Sequence, residues 1–209
     1  MRTQELLLSL ALPLLHLAGC SPGQGEELGR VRYENCAPCH GADGSGNSAI
    51  GAPAIAGMPA WYVEGQLHKF RNGGRGAHPD DVEGLKMRPM ARTLLGEEDL
   101  TRVSAHVAKM TPARPAATLT GDAARGKVLF APCVACHGDR GTEQRDKGTP
   151  SLHRTGDFYL LAQLKKFKAG VRGTGPGDAT GAQMQPMAAT LPNEQAMRDV
   201  IAYIKTLEQ

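Results

Sequence analysis

Large aromatic side chains are scarce in this chain of 209 residues. Tryptophan, tyrosine and phenylalanine together make up 4% of the sequence, whereas glycine alone contributes 26 residues. A chain of this length forms one ordinary domain or two small ones of roughly 100 residues each. Two small cores built only from protein side chains would be short of large groups. We therefore expect something other than protein side chains to fill part of the interior.

The apolar segment near the N-terminus is short. It runs from Leu6 to Ala18, thirteen residues, which is too few to span a bilayer as a stable helix but enough for the h-region of a signal peptide. It leads into Leu17-Ala18-Gly19-Cys20, which resembles the lipobox of bacterial lipoproteins, whose cysteine is acylated. Cys20 is the odd cysteine of five, and a free thiol would be a liability outside the cytoplasm.

We accordingly predict that residues 1–20 are a lipoprotein signal peptide whose lipobox ends at Cys20. The protein is then exported to the periplasmic side and anchored to the membrane through acyl chains on Cys20. A plain signal peptide, cleaved nearby and leaving an unmodified thiol, is the alternative.

Neither sign of charge dominates the sequence. The chain has 24 Lys and Arg residues against 21 Asp and Glu residues, which gives a formal net charge of +3 and a pI near 8.6. No run of basic residues is interleaved with aromatic residues, as a nucleic-acid-binding surface would require. We predict that nucleic acid is not a partner.

An internal repeat organises the chain. A shift of 97 positions aligns residues 29–110 with residues 126–207 without a gap, and 29 of these 82 positions are identical. The stretch between the two copies is rich in proline and alanine, as linkers often are. We predict a first domain over residues 21–111, a linker over residues 112–120 and a second domain over residues 121–209.

Hydrophobic periodicity predicts helices in each copy. One helix is indicated by residues at i, i+4 and i+7: Val63, Leu67 and Phe70, with Leu160, Leu164 and Phe167 in the second copy. A terminal helix is indicated by Leu100, Val103, Val107 and Met110, with Met197, Val200, Ile204 and Leu207. A third, short helix begins near Glu26 and near Asp122, and no alternation of β-branched residues predicts strands. The predicted fold class is all-α, with loop-rich connections.

Each copy contains one C-x-x-C-H motif. The two motifs are Cys36-Ala-Pro-Cys39-His40 and Cys133-Val-Ala-Cys136-His137. Two thiols at this spacing form thioethers with the two vinyl groups of haem, and the following histidine ligates the iron. A zinc site, a redox dithiol and a disulfide are the alternatives, but none of them explains a duplicated pair with a trailing histidine. We predict two covalently bound haem c groups.

Methionine is the candidate for the second axial ligand of each iron. Met87-Arg-Pro89-Met90 and Met184-Gln-Pro186-Met187 follow their histidines by about fifty residues in both copies, and thioether ligation raises a reduction potential. The repeat alone does not choose between the first and the second methionine, because both recur. The other histidines within the two copies, namely His68, His78, His106 and His153, have no histidine at the matching position. Ligation by two histidines is therefore not expected.

The whole pattern is similar to class I cytochromes c, and more closely to the diheme cytochrome c4 family, over essentially the entire mature chain. The resemblance implies two tandem class I domains, each a small helical bundle around one haem. It implies that Met87 and Met184 are the ligands, and that Met90 and Met187 pack beside the haem. It also implies that the carbonyl groups of two prolines accept the ring N–H of the histidine ligands. These prolines are Pro53 and Pro150, each thirteen residues after its histidine.

Further paired residues acquire roles from the same resemblance. A small residue and an aromatic residue mark the crossing of the first and last helices, as Gly29 with Tyr33 and Gly126 with Phe130. The partner aromatic is Tyr203 in domain two, whereas domain one has His106 at that position. Arg75 and Arg172 are candidates to pair with haem propionates, because guanidinium binds carboxylate bidentately; solvated loop arginines are the alternative. Trp61 is either a wall of the first haem pocket or ordinary core.

The resemblance implies an electron carrier rather than an enzyme. In this interpretation the protein takes electrons from a quinol-oxidising complex or a dehydrogenase, delivers them to a terminal oxidase and binds no small-molecule substrate. The alternative is the cytochrome subunit of a periplasmic dehydrogenase, or a haem enzyme such as a peroxidase. An enzyme would need an open coordination position at one iron, and the sequence shows no distal acid/base constellation.

Overall fold

A computed structural model describes residues 22–112 and 114–207. The predicted lipobox, with Cys20, lies outside these residues. Domain one contains α1 (Pro22–Tyr33), α2 (Ala37–His40), α3 (Ala60–Asn72), α4 (Val82–Arg92) and α5 (Glu97–Lys109). Domain two contains α6 (Ala123–Phe130), α7 (Val134–His137), α8 (Asp157–Lys168), α9 (Ala179–Ala189) and α10 (Glu194–Thr206).

The all-α prediction is confirmed. Within the described residues the only β-type pairings are two isolated bridges, Asn47 with Ala52 and Gln144 with Thr149, at matching places in the two loops that follow the C-x-x-C-H motifs. No helix in these two ranges is long and apolar enough to cross a membrane.

The first and last helices of each domain cross at a glycine. A Cβ on Gly29 would lie 2.4 Å from the carbonyl oxygen of Arg102, and one on Gly126 would lie 1.9 Å from the carbonyl oxygen of Asp199. No residue with a Cβ fits such a crossing, because real Cβ atoms do not approach a backbone oxygen so closely. The sequence match to a small residue at this crossing thus has a direct steric cause.

A pair of aromatic rings packs together at each of the two helix crossings. The rings of Phe130 and Tyr203 lie 5.6 Å apart between centroids, and those of Tyr33 and His106 lie 5.4 Å apart. The apolar stripe of each terminal helix faces the core beneath these rings and is at most 4% exposed. The stripe contains Leu100, Val103 and Val107 in α5 and Met197, Val200 and Ile204 in α10. The terminal-helix prediction is confirmed in both domains.

Each domain has one full-length helix that the sequence did not predict. These are α4 and α9, which carry the four methionines of the two Met-x-Pro-Met segments. An aspartate caps each of them: Asp81 accepts a hydrogen bond from Gly84 N at 3.1 Å, and Asp178 accepts one from Gly181 N at 3.0 Å. The proline inside each helix hid the helical pattern, because proline lacks the amide N–H and disfavours a helix interior.

Candidate functional site

One helical turn in each domain presents the cysteines and the histidine. Cys36 lies at the N-cap of α2 and His40 at its end, so that the motif wraps once around the helix axis. Cys133 and His137 occupy the same places in α7. The first cysteine of each motif is half-buried and the second is exposed. One edge of each site therefore reaches the protein surface.

The two histidines are buried and held in the neutral form. His40 is 6% exposed and His137 is 8% exposed. Burial lowers the pKa of His40, although its hydrogen bond to the Pro53 backbone opposes this, and burial lowers the pKa of His137 to about 4. Neutral imidazole is the form that ligates a metal.

The two histidines differ in the hydrogen bonding of their Nδ1 atoms. Nδ1 of His40 lies 2.9 Å from the carbonyl oxygen of Pro53. With Nδ1–H donating there, Nε2 retains the lone pair that a ligand needs. Nδ1 of His137 is buried and has no hydrogen-bond partner among the residues that the structure describes. Pro150 lines the same cavity as His137 but does not accept its ring N–H.

A single, mainly apolar cavity of about 350 Å³ runs through both domains. It brings together the predicted residues of both motifs and all four methionines. Its walls include Cys36, Cys39, His40, Pro53, Met87 and Met90 from domain one, and Cys133, Cys136, His137, Pro150, Met184 and Met187 from domain two. Met90 is 36% exposed and Met87 is less so. The sequence thus located the lining of the cavity, and the cavity joins the two sites across the domain boundary.

The two arginines meet at that boundary in a reciprocal cluster. Arg75 Nη1 donates to Gln66 Oε1 at 2.8 Å and Nη2 donates to Gln163 Oε1 at 3.2 Å. Arg172 Nη1 donates to Gln163 Oε1 at 2.7 Å and Nη2 donates to Gln66 Oε1 at 3.3 Å. Arg75 also donates to the hydroxyl of Tyr159 at 2.6 Å. Each guanidinium therefore contacts both domains.

The cluster is short of negative charge. Nε of Arg75 and Nε of Arg172 are buried and have no hydrogen-bond partner in the described part of the chain. Buried guanidinium groups need anionic acceptors. Although burial opposes it, the positive charges of Arg75 and Arg172 lower the pKa of the Tyr159 hydroxyl. A carboxylate entering the cavity here would complete the cluster.

The residues present fit haem on these grounds. The cavity carries paired thiols, a neutral buried imidazole and thioethers in each domain, and unsatisfied guanidinium donors that match carboxylates. Haem c supplies two carboxylates and an iron that cycles between two oxidation states. The protein in turn fixes the ligands, excludes water with apolar walls and leaves one edge of each site near the surface.

Several interface residues were not assigned a role from the sequence. Gln66 and Gln163 are identical in the repeat, and so are Tyr62 and Tyr159, which is the signal by which they could have been found. Trp61 does not line the cavity. Its Nε1 instead donates to Glu143 of the other domain at 2.7 Å.

Two helical domains, each with a C-x-x-C-H turn and methionines on a shared cavity, define a diheme c-type cytochrome. The chain belongs to the cytochrome c family, whose model matches residues 26–111 and again residues 123–208. It carries two covalently attached haem c groups, one in each domain.

Curated relatives and solved structures support the same assignment to the cytochrome c family. A thiosulfate dehydrogenase electron acceptor of Stutzerimonas stutzeri is 34% identical over 70% of this chain and 68% of its own length. Cytochrome c4 of Pseudomonas aeruginosa is 31% identical over 97% of this chain and 98% of its own length. The structure of reduced cytochrome c4 from Pseudomonas stutzeri has a TM-score of 0.68 at 26% identity and covers 88% of this chain and 98% of that one.

A thiosulfate dehydrogenase structure from Marichromatium purpuratum also has a TM-score of 0.68, at 33% identity over 86% of this chain. This chain spans only 40% of that longer one. The similarity to cytochrome c4 extends over nearly the full length of both proteins. The chain is therefore a diheme electron-transfer protein.

Proposed function

We propose that this protein carries electrons in a bacterial respiratory chain, from a quinol-oxidising complex or a dehydrogenase to a terminal oxidase. One observation supports this proposal above the others. In each domain a neutral histidine and a pair of methionines line the same cavity as the two motif cysteines. The chain thus supplies both axial ligands at both irons, which leaves no position for a substrate.

Within this proposal we assign the residue roles by their places on the cavity and by the match to the cytochrome c4 pattern. Cys36 and Cys39 form the thioethers of domain one, and His40 and Met87 are its axial ligands. The equivalent residues of domain two are Cys133 and Cys136 for the thioethers and His137 and Met184 as ligands. Pro53 orients His40 through its carbonyl group. Arg75 and Arg172 pair with propionates, which their unpartnered Nε atoms support.

Replacement of the methionines tests the proposal. Met87→Ala or Met184→Ala should abolish the methionine-to-ferric charge-transfer band of one haem and let carbon monoxide bind that haem once it is reduced. Met90→Ala and Met187→Ala are the matched controls and should retain both bands. Loss of a band in Met187→Ala but not in Met184→Ala would show that the second methionine is the ligand. Carbon monoxide binding to the unmodified protein at a rate typical of five-coordinate haem would refute a pure carrier.

A dehydrogenase is the second candidate for the electron donor. It is favoured by the similarity to a thiosulfate dehydrogenase electron acceptor. Stopped-flow mixing of the oxidised protein with purified thiosulfate dehydrogenase and thiosulfate should show saturable reduction of both haems. Omission of thiosulfate provides the control. Reduction by a quinol-oxidising complex alone, with none by the dehydrogenase, would favour the first candidate.

The location and anchoring of the protein are part of the proposal. Leu17-Ala18-Gly19-Cys20 supports acylation of Cys20 and residence on the periplasmic side of a membrane. Cells grown with labelled palmitate should yield labelled protein in the membrane fraction, and Cys20→Ser should abolish the label. Unlabelled wild-type protein recovered from the soluble periplasmic fraction would show that the signal peptide is of the plain type.

A further inference from the structure

One lysine of each domain forms an ion pair with an aspartate of the other domain across the domain boundary. Lys69, on α3 of domain one, donates to Asp178 Oδ1 and to Thr180 Oγ1, both at 2.6 Å. Asp178 is the N-cap of α9, the helix that carries Met184 in domain two. A lysine of domain one therefore holds the start of the methionine helix of domain two.

The reverse contact repeats this arrangement. Lys166, on α8 of domain two, donates to Asp81 Oδ1 at 2.6 Å and also to Glu83. Asp81 is the N-cap of α4, the helix that carries Met87. Lys69 and Lys166 are identical positions of the internal repeat, and so are the two capping aspartates. The same cross-domain contact thus occurs twice in one molecule.

The capping aspartates are buried and tightly packed. Asp81 is 2% exposed and Asp178 is 3% exposed. A Cβ on Gly84 would lie 2.2 Å from Asp81 Oδ2, so this carboxylate lies directly against the first turn of its helix. A buried carboxylate that loses its cation is strongly destabilised. Each lysine therefore pairs with the charge of a buried capping aspartate and ties the start of that helix to the opposite domain.

We propose that Lys69 and Lys166 are positioning residues that act in trans, each fixing the methionine helix of the opposite domain. The inference rests on the proposed assignment of Met87 and Met184 as ligands. Met87 lies six residues beyond Asp81, or about 9 Å along a helix. A hydrogen-bonded helix is stiff over that length, so movement of its capped end displaces the methionine.

The test uses imidazole, which competes with methionine for ferric haem. A Met87→Ala background leaves a methionine band only at domain two, and a Met184→Ala background leaves one only at domain one. Imidazole titration of the remaining band measures how readily that methionine is displaced. Lys69→Met should raise the imidazole affinity of domain two about tenfold, because weakening of a helix cap has an effect on this scale. Lys166→Met should do the same for domain one, and neither change should affect its own domain.

Lys165→Met is the matched control. Lys165 is the neighbour of Lys166 on the same helix, is 55% exposed and pairs with Glu194 of its own domain. Its replacement should leave both imidazole affinities unchanged. Lys69→Arg, which keeps the cation, should restore a value near that of the parent.

Three results would overturn the proposal: an effect confined to the domain of the mutated lysine, an equal effect on both domains, or no effect. If Lys69→Met does not fold, the pair Lys69→Met with Asp178→Asn removes both charges while asparagine still caps the helix. This double variant keeps the cap but loses the contact that ties it to domain one, so the affinity at domain two should still rise, and an unchanged affinity would count against the proposal. The Met87→Ala and Met184→Ala backgrounds should each retain one methionine band before any lysine is changed. If both bands are absent, the ligand assignment itself is wrong, and the inference drawn from it is wrong as well.

Discussion

Replacement of Gly126 by alanine tests the helix crossing of domain two. The added Cβ would lie 1.9 Å from the carbonyl oxygen of Asp199, on α10, and 3.0 Å from Cβ of Tyr203. The two helices must move apart by more than 1 Å to bring the first contact to 3.0 Å, a separation below which Cβ contacts are essentially never found. The core beneath the crossing would loosen, because Phe130 and Ile201 are 2% and 1% exposed there.

The expected cost combines two opposing effects. Overpacking of a well-packed contact costs about 1–3 kcal/mol. Alanine is favoured over glycine inside a helix by about 1 kcal/mol, which offsets part of that cost. We expect Gly126→Ala to lower the free energy of unfolding of domain two by about 1 kcal/mol. For a domain of this size the melting temperature should fall by roughly 4–8 °C.

Scanning calorimetry of the holoprotein measures this change. Gly65→Ala is the control, because Gly65 lies inside α3 and a Cβ there would meet nothing within 4 Å. That variant should be unchanged or more stable by up to about 1 kcal/mol. If Gly126→Ala melts at the parent temperature while Gly65→Ala behaves as expected, the steric explanation of the crossing is wrong.

Three further changes probe the same elements. The Arg125 guanidinium lowers the pKa of Asp199 to about 2. The free energy of unfolding of domain two should therefore fall by about 1–2 kcal/mol as the pH falls from about 4 to 2, because Asp199 becomes protonated and loses this pairing. In urea titrations, Asp199→Asn should make the free energy of unfolding depend less on pH over this range. His106→Tyr should raise the melting temperature of domain one by improving packing on Tyr33, and a decrease would contradict this. Trp61→Phe should cost no more than about 1 kcal/mol in urea unfolding, since its hydrogen bond is exposed.

The repeat and the two motifs were enough to predict the fold class and the lining of the cavity. The spacing within C-x-x-C-H and the hydrophobic stripes of the terminal helices depend on local geometry, which the sequence shows directly. The methionine helices were missed because Pro89 and Pro186 argue against a helix, whereas their aspartate caps are recognisable only once the helix is known. In α4 and α9, therefore, the local sequence argues against a helix that the folded protein nevertheless forms.

The contacts between domains were not predictable in the same way. Lys69 and Asp178 are 109 positions apart, and Arg75 and Tyr159 are 84 apart. Periodicity reports only which face of a helix is buried, not which partner covers it. The sequence indicates Arg75 and Arg172 as candidates to pair with haem propionates, but their contacts with Gln66 and Gln163 are visible only in the structure.

A two-fold arrangement explains why the repeat is identical at positions that have no haem chemistry. In such an interface the same patch is used by both partners, so each residue type makes its contact twice. Gln66, Lys69 and Asp81 are identical to their counterparts 97 positions later, and each contacts the other domain. Loss of either copy would leave a buried charge or amide of the opposite domain without its partner, at a cost of several kcal/mol for a charge. These three identities are therefore accounted for by the interface, which requires the two domains to stay docked around their shared cavity.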